Sequence, residues 1–428
     1  MTQVTHKDLL PGVRLTAVHT DKFKSCMLGV TLMTPIDGAT ASANALIPSV
    51  LRRGTQDRPD MESLSAALDE LYGGAIEPMV RKKGETQCVG FAASFLDDAY
   101  TLDGSNILES AAALLGDLLL RPVTEDGRFR ADYVESEKAN LIDRIQAQIN
   151  EKRGYSILRL TQEMCAGEPY GVDKLGDEAT AAALTPDGLW SAYQTLLRTA
   201  QVELYYCGSA APERVEAALT AALRDLPRAE ALADPDCGVQ TNATEAQPRL
   251  VEERMDVTQG KLALGFRTGG ACVWEDDFPA LLVFNALYGG TPTSKLFLNV
   301  REKLSLCYFA SSMLEKMKGI LIVSSGIEFQ NYDKAKAEIL AQLEECRAGR
   351  FEPWELEGAR QAVISSLRST MDGQGRLEDY WLGQAASGLE EGPEELARRV
   401  SAVTAEQVSA VAQGLELDTI YFLKGREG

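Results

Sequence analysis

The residues that could carry hydrolytic chemistry are few. A catalytic zinc ion takes about three nitrogen or oxygen ligands and keeps one position open for water, and the chain has only two histidines, His6 and His19. Neither stands in an H-x-x-x-H or H-x-x-E-H arrangement, the spacing that sets two imidazoles on one face of a helix. His6 reads as part of a polar N-terminal tail and His19 as the end of a strand, so both are expected at the surface. A serine or cysteine nucleophile needs a general base, normally histidine, and no G-x-S-x-G elbow or G-x-x-x-x-G-K-[ST] loop occurs. The Gly-Gly pairs at 73/74, 269/270 and 289/290 read as helix stops and turns. The eight cysteines (Cys26, Cys88, Cys165, Cys207, Cys237, Cys272, Cys307 and Cys346) form no C-x-x-C pair. Free buried thiols in a reducing cytoplasm are the simplest account. On residue types alone, the chain has no visible catalytic equipment.

Its size and charge narrow the class further. A chain of 428 residues suits two domains of roughly 200 residues, each large enough for its own core. With 45% apolar and 25% charged residues the composition is globular, and the net charge of -20 is acidic. Nucleic acid is not an expected partner, because phosphate binding needs a basic surface. The acidic excess could favour basic peptides, but it reads first as a solubility feature. The apolar stretch from Ala111 to Leu120 is interrupted by Gly116 and Asp117, so no membrane span and no signal peptide are expected, and the location expected is cytoplasmic.

Elements that could position a site alternate along the chain. LTAVHT, KSCMLGVTLMTP and TQCVGFAASF read as strands. MESLSAALDELYGG carries Leu64, Ala67, Leu68 and Leu71 at helical spacing, and SNILESAAALLGDLLL reads as a helix capped by Ser105. From Tyr133 to Arg153, residues Val134, Leu141, Ile142, Ile145 and Ile149 form one apolar stripe. Periodicity is lost between Asp225 and Glu252, where Pro227, Pro235, Gly238, Asn242 and Pro248 mark a linker.

Beyond the linker the order of elements returns. Gly127-Arg128-Phe129 recurs as Gly349-Arg350-Phe351, an offset of 222 residues that also pairs Val134 with Leu356, Leu141 with Val363 and Ile142 with Ile364. The strand VELYYCG has its partner in TIYFLKG at the end of the chain. This predicts a duplicated α+β domain: residues 1–227, a linker at 228–249, and residues 250–428.

LFLNVREKLSLCYFASS resembles the second-domain signature of the insulinase-type (M16) metallopeptidases, with Arg301 and Tyr308 at the family's arginine and tyrosine positions. ALIPSVLRRGTQDRP is similar to the family's zinc helix, and Arg53-Gly54-Thr55 matches its end. By that match the two histidine positions hold Ala45 and Ser49, and the catalytic glutamate position holds Pro48. The family's downstream glutamate ligand matches Glu137, with Glu135 as the alternative. The resemblance spans nearly the whole chain and lies toward the family's non-catalytic bacterial members, which lack the H-x-x-E-H motif.

The resemblance implies two M16-like domains, each a mostly antiparallel sheet with helices on one face, in a clam-like arrangement. It also implies no catalytic residue and no metal on this chain, zinc on an active M16 partner subunit, and a peptide substrate clamped between them. Arg301 would hold a peptide carbonyl, and Tyr308 would donate its phenol to the oxyanion that forms. Three alternatives stay open: an assembly scaffold with no part in proteolysis, an autonomous zinc peptidase, and a homodimer when the chain is alone.

Overall fold

A computed structural model describes residues 2–234 and 238–426; Pro235 and Cys237 of the expected linker lie outside the described residues. In the first half the chain forms β1 (Gln3–Leu10), β2 (Val13–His19), β3 (Ser25–Pro35), α1 (Ala41–Leu51), α2 (Met61–Glu70), β4 (Ala75–Lys83), β5 (Thr86–Leu96) and α3 (Ile107–Leu120). A short hairpin of β6 (Thr124–Glu125) and β7 (Arg128–Phe129) leads to α4 (Ala131–Ala147), α5 (Lys152–Met164), α6 (Glu178–Ala182), α7 (Pro186–Thr199), β8 (Gln201–Gly208) and α8 (Pro212–Leu223). The second half forms β9 (Arg249–Met255), β10 (Gly260–Arg267), α9 (Phe278–Asn285), β11 (Cys307–Glu315) and β12 (Ile320–Ile327). It ends with α10 (Tyr332–Arg347), α11 (Pro353–Thr370), α12 (Gln374–Ala386), α13 (Pro393–Ser401), α14 (Ala405–Gly414) and β13 (Glu416–Gly425).

Two sheets result, of order β1-β2-β8-β3-β5-β4 and β11-β12-β10-β13-β9. Both are antiparallel except for the β2–β8 and β9–β13 pairs, as the α+β reading predicts. On β3, Cys26, Leu28, Val30 and Leu32 face the main helical layer of the first sheet, where they join Leu204 and Tyr206 of β8 in one core. This is the two-residue period of a strand.

The compact units are not contiguous in sequence. The first takes residues up to Gln146, residues from Val172 to the linker, and Gln374–Gly388, whereas the second takes Ala147–Gly171, Gly238–Gly373 and Leu389 onward. The offset of 222 residues that relates α4 to α11 also carries α5 onto α12 end for end. The duplicated helices therefore exchange places: α5 belongs to the second unit and α12 to the first.

In the second unit, Leu160 and Met164 of α5 pack with Ala263, Ile322 and Tyr421 on the sheet. Gly265 permits this approach, since a Cβ there would lie 2.5 Å from the Met164 sulfur. In the first unit α12 packs on β8 and β3 and is tied down at its start, where Gln374 Nε2 donates to the carbonyls of Ser25 at 2.8 Å and Cys207 at 2.9 Å. Farther along, Glu378 accepts from Arg81 at 2.6 Å. Each sheet keeps its main helical layer on one face and carries one further helix, α12 or α5, on the other.

Three local readings are corrected. The N-cap of α3 is Asn106, not Ser105, and the first amides of the helix, Ile107 and Leu108, donate to Asp98 Oδ1 at 2.8 and 3.3 Å. The Ser105 hydroxyl donates to Asp103 instead. His6 is no tail residue: it lies on β1, with Nδ1 3.0 Å from the Thr16 hydroxyl. Ile149 falls beyond the end of α4 and is exposed, while Val134 and Leu141 are buried as the stripe requires.

Candidate functional site

Helix α1 holds the three positions that match the zinc-helix chemistry of the M16 peptidases. Ala45 and Pro48 are buried and Ser49 is half-buried. Pro48 stands inside the helix, where its ring removes one backbone hydrogen bond and costs about 3 kcal/mol. Burial of Leu46, Ile47, Val50 and Leu51 around it offsets that loss. Beside these positions the polar groups serve the backbone. Gln87 Nε2 on β5 donates to the carbonyls of Ala41 at 2.9 Å and Lys174 at 2.7 Å, and its Oε1 accepts from Asn44 at 3.1 Å.

Glu137 on α4 is committed to protein partners. Arg53 Nη1 donates to its Oε1 at 2.9 Å and Asn140 Nδ2 to its Oε2 at 3.1 Å. The Arg53 guanidinium also lies 4.7 Å from the ring centre of Tyr133. Glu135 faces solvent and pairs with Lys138 at 2.8 Å. Among the described residues no group of three or more His, Cys, Asp or Glu side chains is arranged to hold a metal ion. The residues at the zinc-ligand positions, Ala45, Ser49 and a carboxylate already held by an arginine, do not fit zinc.

The second unit carries Arg301 and Tyr308 on adjoining elements. Arg301 lies in a π-helical segment, Leu296–Lys303, anchored by buried Leu296 and Val300; such segments concentrate at functional sites. Its Nε is 3.6 Å from Glu302 Oε1 and its guanidinium lies 4.7 Å from the Phe297 ring centre. After a left-handed Ser305 (φ 49°) the chain enters β11, an edge strand. There Cys307 pairs with Ile327 and Phe309 with Gly326, so Tyr308 is the extra residue of a β-bulge. A bulge re-aims the side chain it carries, and Tyr308 is 63% exposed. Next to it, Arg153 lies 4.4 Å from the Phe309 ring centre and donates to Ser311 Oγ at 2.8 Å.

Sequence reasoning missed two of these roles. Arg53 was legible only as the start of Arg-Gly-Thr, and nothing in the sequence linked it to Glu137. Arg153 follows α4 in the first half of the chain, yet packs on β11 because α5 crosses to the second unit. The seven described cysteines are free and buried, and burial pushes the Cys26 and Cys88 thiols up to about 12. Cys237 lies outside the described residues.

Fold and site together define a duplicated α+β protein whose positions matching a zinc helix carry no metal ligand. The family described as Peptidase M16 inactive domain matches over residues 183–363. A protein of Bacillus subtilis (strain 168) described as "Probable inactive metalloprotease YmfF" is 35% identical, over 97% of this chain and 97% of its own. In solved structures, the fold matches a conserved protein from Enterococcus faecalis V583 with a TM-score of 0.90 at 28% identity, over 99% of both chains. It also matches a peptidase M16 inactive domain from Pseudomonas fluorescens with a TM-score of 0.78 at 17% identity, over 99% of this chain and 98% of that one. The chain belongs to the M16 peptidase family and groups with relatives described as inactive.

Proposed function

We propose that this chain is the non-catalytic subunit of a two-subunit M16 peptidase, clamping peptide substrate while a zinc-bearing M16 partner performs the cleavage. The observation that carries this reading is an asymmetry between the two units. In the first, the zinc-helix positions hold Ala45, Pro48 and Ser49, without a histidine or carboxylate among them, and Glu137 is held by Arg53. In the second, Tyr308 is displayed on a bulge, and Arg301 is 3.6 Å from Glu302 and lies over the Phe297 ring at 4.7 Å. A tyrosine with no part in binding would sooner pack than stand exposed on an edge strand.

In this reading Arg301 orients a peptide carbonyl, and the Tyr308 phenol donates to the oxyanion at the partner's site. Lost oxyanion donors typically cost about a hundredfold or more in turnover. Metal chemistry belongs to the partner, and the cytoplasm is the proposed location. No helix among the described residues is long and apolar enough to cross a membrane.

The test is cleavage of an unstructured fluorogenic peptide by an H-x-x-E-H-bearing M16 peptidase from the same cell, alone and with this chain. Tyr308→Phe and Arg301→Gln should leave the complex assembled, as read by gel filtration, and lower its turnover about a hundredfold. Unchanged turnover in both variants would replace this reading with that of an assembly scaffold.

A further inference from the structure

Three helices of the first unit, α3, α7 and α8, surround a groove of about 870 Å³, within the range of roughly 300–1,000 Å³ typical of small-molecule sites. Each helix contributes a stripe at helical spacing: Ala113 and Leu120 from α3, Trp190 and Leu197 from α7, and Ala217 and Ala221 from α8. The space exists because the residues that line α8 here are mostly alanines, too short to fill it. Its floor is the seam of α3 and α8, which touch so closely that a Cβ on Gly116 would lie 2.5 Å from the Ala222 carbonyl oxygen. Its aromatic wall is held in place, since Trp190 lies 5.0 Å from Phe129, edge to face, and 5.1 Å from Tyr193.

The charges at the rim decide what fits. Three of its four arginines have a carboxylate partner: Arg121 has Asp117, Arg214 has Glu109, and Arg224, exposed at the outer rim, has Asp225 at 3.5 Å. Arg198, on the α7 stripe, forms no ion pair among the described residues. Apolar walls with a single uncommitted guanidinium complement one kind of molecule. We propose that this groove binds an amphipathic organic anion, its apolar body against Trp190 and the alanines and its single acid group on Arg198. In a chain of net charge -20 an adventitious attraction for anions is not expected, so an anion bound here is selected locally.

Two fluorescent probes separate the parts of this claim: anilinonaphthalene sulfonate, and phenylnaphthylamine, which has the same rings without the acid. Titration of the full chain should show one sulfonate probe bound per chain, more tightly than the neutral probe. Arg198→Gln should weaken the sulfonate about tenfold, the loss of one charged hydrogen-bonded pair, and leave the neutral probe unchanged. Ala221→Trp should abolish both, with the melting temperature unchanged because Ala221 is exposed. If that variant does not fold, Ala217→Phe serves in its place. Equal binding of the two probes, or indifference of the sulfonate to Arg198→Gln, overturns the proposal. So does probe binding that falls as the protein dimerises with concentration, which would make a second copy of the chain the occupant.

Discussion

Replacing Glu168 should be among the most damaging single changes available in the second unit. This residue follows α5, and its carboxylate is shared by two cations that have almost no access to water. Arg267 is 1% exposed and places Nη2 2.6 Å from Oε1, and Lys318 is 0% exposed and places Nζ 2.6 Å from Oε2. Arg267 has a second carboxylate in Asp418, 3.0 Å away, and donates to the carbonyls of Gln240 and Met164 at 2.9 Å each. Glu168→Gln keeps the shape but withdraws the charge, leaving two buried cations to share what remains. Removing one partner from a buried ion pair costs about 3–5 kcal/mol. In a unit of this size each kcal/mol is worth about 2–4 °C in Tm, so a drop of about 10 °C is expected by calorimetry.

The pH profile gives an independent check. Burial alone would raise the Glu168 carboxyl, but hydrogen bonds from Arg267 and Lys318 outweigh it and hold it below the usual 4.5. The contribution is therefore complete above the unfolded value and is lost as pH falls through the folded one. The variant should lack that acid-side slope. Asp418→Asn should cost less, because Arg267 keeps Glu168. Adding Lys318→Met to Glu168→Gln should recover part of the loss by removing one stranded charge. A change below about 1 kcal/mol in Glu168→Gln would refute the account, since it would mean the cluster is solvated in solution.

Glu203 titrates in the opposite sense. Burial raises its carboxyl to about 8, against the hydrogen bond from Thr16 and the charge of Arg14, which lower it. Stability should be greatest below the unfolded value and decline as pH rises toward 8, by up to about 1.4 kcal/mol per pH unit. Glu203→Gln should flatten that decline in urea denaturation series, and an unchanged slope would exonerate this residue. Zinc in the untagged chain, measured by elemental mass spectrometry after exposure to zinc and dialysis, should be far below one per chain. Stoichiometric zinc would reopen Glu135, Glu137 and the cysteines as ligands.

Much of the fold was legible because it rests on local periodicity. The stripe of Val134 and Leu141 recurring at Leu356 and Val363 announced two copies of one helix, and α4 and α11 stand where that repeat placed them. The candidate site was legible by residue type: Ala45, Pro48 and Ser49 cannot offer a ligand set whatever the fold does. Capping was misread at Ser105 because the carboxylate that serves the helix, Asp98, lies in a preceding turn rather than at the cap position. His6 was misread because β1 is an edge strand whose pattern is weak until β2 pairs with it.

By itself, then, the sequence determined the duplication, the alternation of strands and helices, and the lack of ligand chemistry on α1, since each follows from spacing or from side-chain type. Tertiary structure alone decided that α5 and α12 exchange units, that Arg53 occupies Glu137, and that Tyr308 stands out on a bulge. These depend on which surfaces meet across long stretches of chain and on a one-residue slip in strand register. Local patterns carry no information about either, because the same apolar stripe packs equally well against any sheet that offers it room.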